Sequence, residues 1–198
     1  RCCRPWQGCE FRAISPPVKP LGTRKRRSHH DGDAAPGKRF TWLSHFILGF
    51  TDGLAPMGAW AAIRGSLFTP EDLPAWILLA VVTLWIGGFD MIYACQDVPY
   101  DQQDRLQSIP ARFGIPAALR LSVICHVATV LLLVSLGWLM GLGWPYWIGI
   151  LVTAGLLAWE HWLVRPDDLS RINLAFFNIN SYISLTLFIS ILSALAIA

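Results

Sequence analysis

Five long apolar stretches, separated by short polar connectors, constrain the fold of this chain more than any other feature. They cover residues 40–63, 75–96, 117–140, 145–164 and 172–198, and each has about the ~20 residues that a helix needs to cross the hydrocarbon core of a bilayer. Runs such as 129–144 (TVLLLVSLGWLMGLGW) show no alternation of apolar and polar residues, which excludes the lipid-facing strands of a membrane barrel. The sequence therefore predicts an all-α integral membrane protein with five transmembrane helices.

Basic residues near the ends of these stretches indicate which connectors are cytoplasmic, because Lys and Arg accumulate on that side of a membrane. With five spans, successive connectors lie on alternate faces. One face then carries only Arg64, and the other carries Arg24, Lys25, Arg26, Arg27, Lys38, Arg39, Arg105, Arg112, Arg120, Arg165 and Arg171. We therefore expect a multi-pass protein of the inner cell membrane with the segment before Lys38 and the loops at 97–116 and 165–171 in the cytoplasm. The loops at 65–74 and 141–144 then face outward.

Residues 1–37 differ from the rest of the chain because they are basic, rich in Pro and Gly, and without an apolar period. We expect this segment to be disordered or non-native. Its run of basic residues at 24–27 lies beside a membrane span, where such charge helps to set the topology rather than to bind nucleic acid. The membrane region is accordingly 38–198.

Four aspartates follow one another where the second span reaches the cytoplasm, and these are Asp90, Asp97, Asp101 and Asp104. At ~100° per residue of helix, their spacings place all four on one face, and Pro99 predicts that the helix kinks or ends at Val98. Like charges held together repel one another unless a cation lies among them.

Mg²⁺ suits such a group, because it binds through one or two carboxylates and completes its shell with water and phosphate. The pattern predicts a magnesium-dependent site for a diphosphate whose lipid tail stays in the bilayer. The alternative is a solvated acidic loop whose aspartates pair with Arg105 and Arg112.

The same region resembles the second aspartate motif of UbiA-type prenyltransferases. The run 93–97 (YACQD) leads into the DxxxD pair Asp97 and Asp101, and 108–114 (SIPARFG) follows it. Residues 38–41 (KRFT) resemble the family's Lys-Arg-x-Thr segment, and 173–184 (NLAFFNINSYIS) resemble its asparagine-bearing last helix. The resemblance is greatest to the 4-hydroxybenzoate polyprenyltransferase group, which includes enzymes of the futalosine route to menaquinone.

The resemblance implies that the chain is the C-terminal part of a nine-helix intramembrane bundle. Such an enzyme transfers a polyprenyl group from polyprenyl diphosphate to an aromatic hydroxyacid, either 4-hydroxybenzoate or a dihydroxynaphthoate, in ubiquinone or menaquinone biosynthesis. By the same resemblance, Asp97 and Asp101 are metal ligands for Mg²⁺ and are catalytic together with Arg39. The residues expected to contact substrate are Lys38, Arg39, Asp90, Tyr93, Arg112 and Asn178.

The sequence also departs from the family pattern. The first aspartate motif, NDxxxD or NxxxDxxxD, does not occur in it, and Gln107 stands where near relatives are expected to carry a basic residue. We therefore expect that this polypeptide alone does not catalyse prenyl transfer.

Two other functions fit parts of the pattern. CDP-alcohol phosphotransferases also gather aspartates around a divalent metal, but Asp90 and Asp97 have the wrong spacing for that class. The main alternative is a non-enzymatic ion-binding or transporter half, in which Asp52 and Asp90 line a cation path. His45 and His126 lie inside apolar stretches, where we expect polar groups satisfied within the bundle.

Overall fold

In the computed structural model of this protein, residues 38 and 41–197 are described, without the side chains of residues 175 and 176. The disorder predicted for residues 1–37 therefore concerns a segment outside the described residues. The helices of the described part are α1 (Ser44–Arg64), α2 (Leu73–Ala94), α3 (Val98–Gln103), α4 (Ile109–Phe113), α5 (Ile115–Met140), α6 (Trp144–Leu163) and α7 (Asn180–Ile197). Short 3₁₀ turns at Pro70–Asp72 and Cys95–Asp97 flank α2, and a π-helical segment at Leu174–Ile179 leads into α7.

The long helices follow the predicted apolar stretches, which confirms the all-α prediction. Four of them are long and apolar enough to cross a membrane, namely Ser44–Arg64, Pro70–Gln103, Ile115–Met140 and Phe177–Ile197. The remaining stretch forms a helix of 20 residues, α6, but its polar Glu160 and His161 and its several tryptophans make it less apolar. The fifth span therefore stays a prediction.

Prolines mark where the helices begin. A proline cannot donate a backbone hydrogen bond, and the first turn of a helix has no use for that donor. In the first turns of α2 to α6 stand Pro74, Pro99, Pro110, Pro116 and Pro145. Helices α1 and α5 end at Gly65 and Gly141, whose left-handed backbone closes the last turn.

Helix α2 is the centre of the packed region. It is contacted by α1 and α5, and α6 and α7 continue the bundle through α5. The core around its C-terminal half contains Phe89, Met91 and Ile92, together with Ile109 of α4 and Ile183 of α7. The residues that follow α2 are therefore held against a packed core.

Two glycines allow helices α1 and α5 to approach α2. A Cβ atom on Gly49 would lie 2.3 Å from the carbonyl oxygen of Thr83 and 3.0 Å from the backbone nitrogen of Gly87. Similarly, a Cβ on Gly88 would lie 2.5 Å from Nε2 of His126. Small residues permit this kind of close helix packing in membranes.

Asp72 joins the C-terminal end of α1 to the N-terminal end of α2. Its buried carboxylate accepts hydrogen bonds from Trp60 Nε1 (2.9 Å), Ser66 Oγ (2.9 Å), and both the backbone N–H (3.0 Å) and Oγ1 (2.7 Å) of Thr69. The connector between α1 and α2 is therefore fixed by local hydrogen bonds.

We expect the substitution Gly49→Ala to destabilise the fold by about 1–3 kcal/mol. The added methyl group would collide with backbone atoms of α2, which cannot move aside as the end of a flexible side chain can. Gly58→Ala, on the same helix, is the matched control, since a Cβ there meets no atom within 4 Å. The control should be neutral or stabilising by up to about 1 kcal/mol. Free energies of unfolding measured in one detergent would test the pair, and equal stability of both variants would contradict the packing argument.

Candidate functional site

The passage from α2 to α3 differs from the sequence prediction at Val98. The backbone there is helical, with φ −50° and ψ −45°, so the position of the predicted break is wrong, and the α-helix α2 ends earlier, at Ala94. The chain instead tightens into the 3₁₀ turn Cys95–Asp97, and Pro99 then falls in the first turn of α3. Because Pro99 lies in a first turn, its lack of a backbone N–H leaves no hydrogen bond unmade, and the chain continues as a helix.

Asp97 and Asp101 form a carboxylate pair, and Lys38 is the cation beside it among the described residues. Nζ of Lys38 lies 3.5 Å from Oδ2 of Asp97 and 3.7 Å from Oδ2 of Asp101. The side chain of Asp97 is 41% exposed and that of Asp101 only 2%. The backbone carbonyl of Lys38 accepts a hydrogen bond of 2.6 Å from the N–H of Gln107, which ties the cation to the loop after α3.

One oxygen of the pair has no hydrogen-bond partner among the described residues. This atom, Oδ2 of Asp101, is buried, and the Lys38 ammonium at 3.7 Å is beyond hydrogen-bond distance. Buried polar atoms are normally paired. The pair therefore fits a bound divalent cation such as Mg²⁺, which needs only one or two protein carboxylates.

The other two aspartates do not join this pair. Asp90 is hydrogen bonded to His45, with 2.6 Å between its Oδ2 and Nδ1 of the ring, and Asp104 is exposed at the end of α3. Within residues 38 and 41–197, no three or more His, Cys, Asp and Glu side chains converge to hold one metal ion. The predicted four-carboxylate group is thus divided into a pair and two separate residues.

The loop after α3 turns back sharply over the aspartate pair. The N–H of Leu106 donates to the carbonyl of Asp101 (2.7 Å), and that of Arg105 donates to the carbonyl of Gln102 (3.4 Å), which is the Schellman pattern. Arg105 occupies the left-handed position of this motif with φ 56°. Ser108 then caps α4, since its Oγ accepts a hydrogen bond from the N–H of Ala111.

A pocket of about 370 Å³ opens in this loop, lined by Gln102, Arg105, Leu106, Gln107, Ala111 and Arg112. Arg112 is exposed, and its guanidinium carbon lies 5.4 Å from the ring centroid of Phe113. The pocket therefore offers two guanidinium groups next to the turn that carries Asp101. Such groups favour phosphate oxygens.

The remaining predicted substrate contacts lie in different surroundings. Tyr93 is half-buried one turn after Asp90 and packs against the core. Asn178 is exposed on the π-helical segment, and no hydrogen bond or ion pair joins it to the aspartate pair in the described part of the chain. Arg39 lies outside the described residues.

Two further polar residues are turned inward, which the sequence predicted for His45 but not for Asn180. Asn180 is half-buried and its Oδ1 is a buried atom without a hydrogen-bond partner among the described residues. His45 is fully buried and contacts Asp90. Both are polar residues within apolar stretches, and this is the only signal that the sequence offers for them.

A second buried polar cluster lies between α5 and α6. Nδ1 of His126 is 2.9 Å from Nε2 of His161 and 3.6 Å from Oε2 of Glu160. Both oxygens of Glu160 are buried without hydrogen-bond partners in the described region. The expectation that His126 is satisfied inside the bundle is confirmed, because its Nε2 also lies 3.3 Å from the carbonyl of Trp85.

The loop before the last helix contains a satisfied carboxylate for comparison. The hydroxyl (2.6 Å) and backbone N–H (3.0 Å) of Ser170 donate hydrogen bonds to Asp168. These bonds lower the pKa of the Asp168 carboxyl below its usual range. Asp168 is therefore satisfied by hydrogen bonds within its own loop, whereas Oδ2 of Asp101 has no such donor among the described residues.

Comparison with known proteins matches this arrangement to one family. Residues 35–182 match the UbiA prenyltransferase family. The 4-hydroxybenzoate octaprenyltransferase of Klebsiella pneumoniae is 32% identical over 154 residues, which are 78% of this chain and 51% of that enzyme. The enzyme of the same name from Vibrio cholerae is 34% identical over 155 residues, or 78% of this chain and 52% of the relative.

A solved structure agrees with these relatives. The apo structure of a UbiA homolog from Aeropyrum pernix K1 superimposes with a TM-score of 0.69 and 30% identity, covering 79% of this chain and 57% of that protein. The chain spans about half the length of the curated relatives it matches. With the family match extending over most of the chain, this protein belongs to the UbiA prenyltransferase family.

Proposed function

We propose that the whole protein transfers a polyprenyl group from polyprenyl diphosphate to an aromatic hydroxyacid, 4-hydroxybenzoate or a dihydroxynaphthoate, in ubiquinone or menaquinone biosynthesis. The observation that carries this proposal is the pair Asp97 and Asp101, with its unpartnered buried oxygen, beside Lys38. The names of the relatives support 4-hydroxybenzoate as the acceptor.

The donor side of the site is built from the aspartate pair and the surrounding cations. Asp97 and Asp101 would hold Mg²⁺, and the bound ion would neutralise charge that develops on the leaving diphosphate. Lys38, Arg39 and Arg112 would bind the phosphate oxygens directly, since these side chains carry positive charge toward them. Together these cations would stabilise the negative charge on the leaving diphosphate more strongly than the charge on the intact substrate.

The acceptor side is assigned to Asp90 and Tyr93, with Asn178 on the last helix. Breaking of the allylic C–O bond gives diphosphate and a carbocation, and the electron-rich ring of the acceptor forms the new C–C bond before it loses a proton. Asp90 lies seven residues before Asp97 on the same helical path. This spacing of about two helical turns separates the acceptor from the phosphates.

The proposed setting is the inner cell membrane, with five spans in this chain and the loops at 97–116 and 165–171 in the cytoplasm. Such a topology gives the soluble diphosphate group access to the aspartate pair while the polyprenyl tail remains among the lipids. The bundle of the whole protein would have nine helices.

Family membership does not favour the alternative of an ion path through Asp52 and Asp90. Asp52 is exposed on α1, and Asp90 has its hydrogen bond with His45.

We expect the chain to bind geranyl diphosphate in the presence of Mg²⁺, and Asp101→Asn to weaken this binding by about ten- to a hundredfold, because a neutral amide holds a divalent cation poorly. Asp104→Asn is the matched control, since Asp104 is exposed and lies in the same short helical region. Calorimetric titration in nanodiscs with and without Mg²⁺ measures both. Equal donor affinity in the two variants would remove Asp101 from the metal site.

Replacement of Lys38 gives a second test of the site, because its ammonium lies within 3.5–3.7 Å of both carboxylates and competes with a metal ion for them. Without diphosphate, Lys38→Met should bind Mn²⁺ on the order of tenfold more tightly than the wild type. With diphosphate present, the same variant should bind the donor more weakly, because a phosphate contact is lost.

The control is Lys38→Arg, which keeps the positive charge and should leave the affinity for Mn²⁺ alone close to that of the wild type. Electron paramagnetic resonance of free Mn²⁺ measures the affinity of each variant for Mn²⁺. An unchanged or lower affinity in Lys38→Met would contradict competition at the aspartate pair.

A further inference from the structure

His45 is a fully buried imidazole that uses both ring nitrogens. Nδ1 lies 2.6 Å from Oδ2 of Asp90 on α2, and Nε2 lies 3.3 Å from the backbone nitrogen of Ile109 at the start of α4. One side chain of α1 thus contacts two other elements. These two elements flank the aspartate pair along the chain, one before it and one after it.

The partners of His45 determine its tautomer. The backbone N–H of Ile109 can only donate a hydrogen bond, so Nε2 must accept and carries no proton. The proton of the neutral ring is then on Nδ1, which donates to the carboxylate of Asp90. The carboxylate can only accept while it is ionised. In this arrangement each donor, the Ile109 N–H and the Nδ1–H of His45, therefore has an acceptor.

The hydrogen bond leaves the second oxygen of Asp90 available. The side chain of Asp90 is 23% exposed, and its hydrogen bond within the described residues, to His45, uses Oδ2 and not Oδ1. The carboxylate is therefore held at one oxygen and open at the other. A hydroxyl group is the natural complement of such an acceptor atom.

We propose that His45 is a positioning residue, which fixes Asp90 so that its free oxygen accepts a hydrogen bond from the ring hydroxyl of the aromatic acceptor. This inference rests on the proposed function, because it takes the acceptor to be an aromatic hydroxyacid. His45 does not touch the acceptor itself. Its effect passes through the carboxylate.

The second hydrogen bond of His45 links the acceptor side to the donor side. Ile109 follows Ser108, which caps α4, and the preceding Gln107 donates its N–H to the carbonyl of Lys38. The imidazole that holds Asp90 therefore also holds the segment that anchors Lys38 beside the aspartate pair. Removal of its hydrogen bonds should disturb the acceptor first and the donor only indirectly.

The substitutions His45→Gln and His45→Leu separate hydrogen bonding from packing. The amide of Gln offers one donor and one acceptor, whereas Leu has a similar volume and offers neither. With Mg²⁺ and geranyl diphosphate present, we expect 4-hydroxybenzoate to bind His45→Gln within about threefold of the wild type and His45→Leu about tenfold or more weakly. Saturation-transfer NMR on the intact chain in nanodiscs measures these affinities.

A spectroscopic readout of the wild type needs one folded variant only, to assign the signal of His45. In a chain with ¹⁵N-labelled histidines, the signal that disappears in His45→Gln belongs to His45, and its shifts should show the proton on Nδ1. A proton on Nε2 would overturn the inference. So would an affinity of His45→Leu for 4-hydroxybenzoate equal to that of the wild type.

The donor titration tells the two proposals apart. If the wild type binds no geranyl diphosphate with Mg²⁺, the proposed function fails even where His45 shows the expected tautomer. If the donor binds normally and acceptor affinity is the same in wild type, His45→Gln and His45→Leu, only the positioning role fails.

Discussion

The close contact of α1 with α2 at Gly49 is the constraint on which the site depends. Because the two backbones almost touch there, the residue one turn earlier on α1, His45, comes within 2.6 Å of Asp90. The same imidazole reaches the first residue of α4. Helix packing in the membrane thereby fixes a polar network at its edge, and a side chain at Gly49 would move every later member of that network.

The charge balance at the aspartate pair favours the binding of a cation. Among the described residues, two carboxylates share one ammonium, that of Lys38, so this described group carries a net negative charge. Asp101 is almost completely buried, and removing a carboxylate from water costs free energy unless a cation compensates it. A bound divalent ion would reverse that imbalance and leave a positive charge toward the diphosphate. The arginines of the neighbouring pocket would then contact the phosphates rather than the aspartates.

The sequence predicted the elements well and the side-chain partners less well. Apolar length located the helices, and the DxxxD spacing identified Asp97 and Asp101 as a pair, since residues four apart lie close together on a helix. The expectation that Asp90 and Asp104 join them was wrong. A 3₁₀ turn at Cys95–Asp97 changes the rotation per residue before the pair, and the carboxylate of Asp90 is held by His45, a contact that no periodicity could reveal because the two residues are 45 positions apart.

Arg105 shows how the loop combines backbone strain with charge. The left-handed position of a Schellman motif usually holds glycine, and a residue with a Cβ costs roughly 1–2 kcal/mol there. Arg105 adopts φ 56° nonetheless, and its side chain lines the pocket beside Asp101. Glycine would relieve the backbone but remove a cation from the face where diphosphate would bind. Strain of this kind persists where surrounding contacts impose it, and here the hydrogen bonds of Leu106 and Gln107 to Asp101 and Lys38 do so. The sharp turn that strains Arg105 is therefore the same turn that keeps Lys38 beside the two carboxylates.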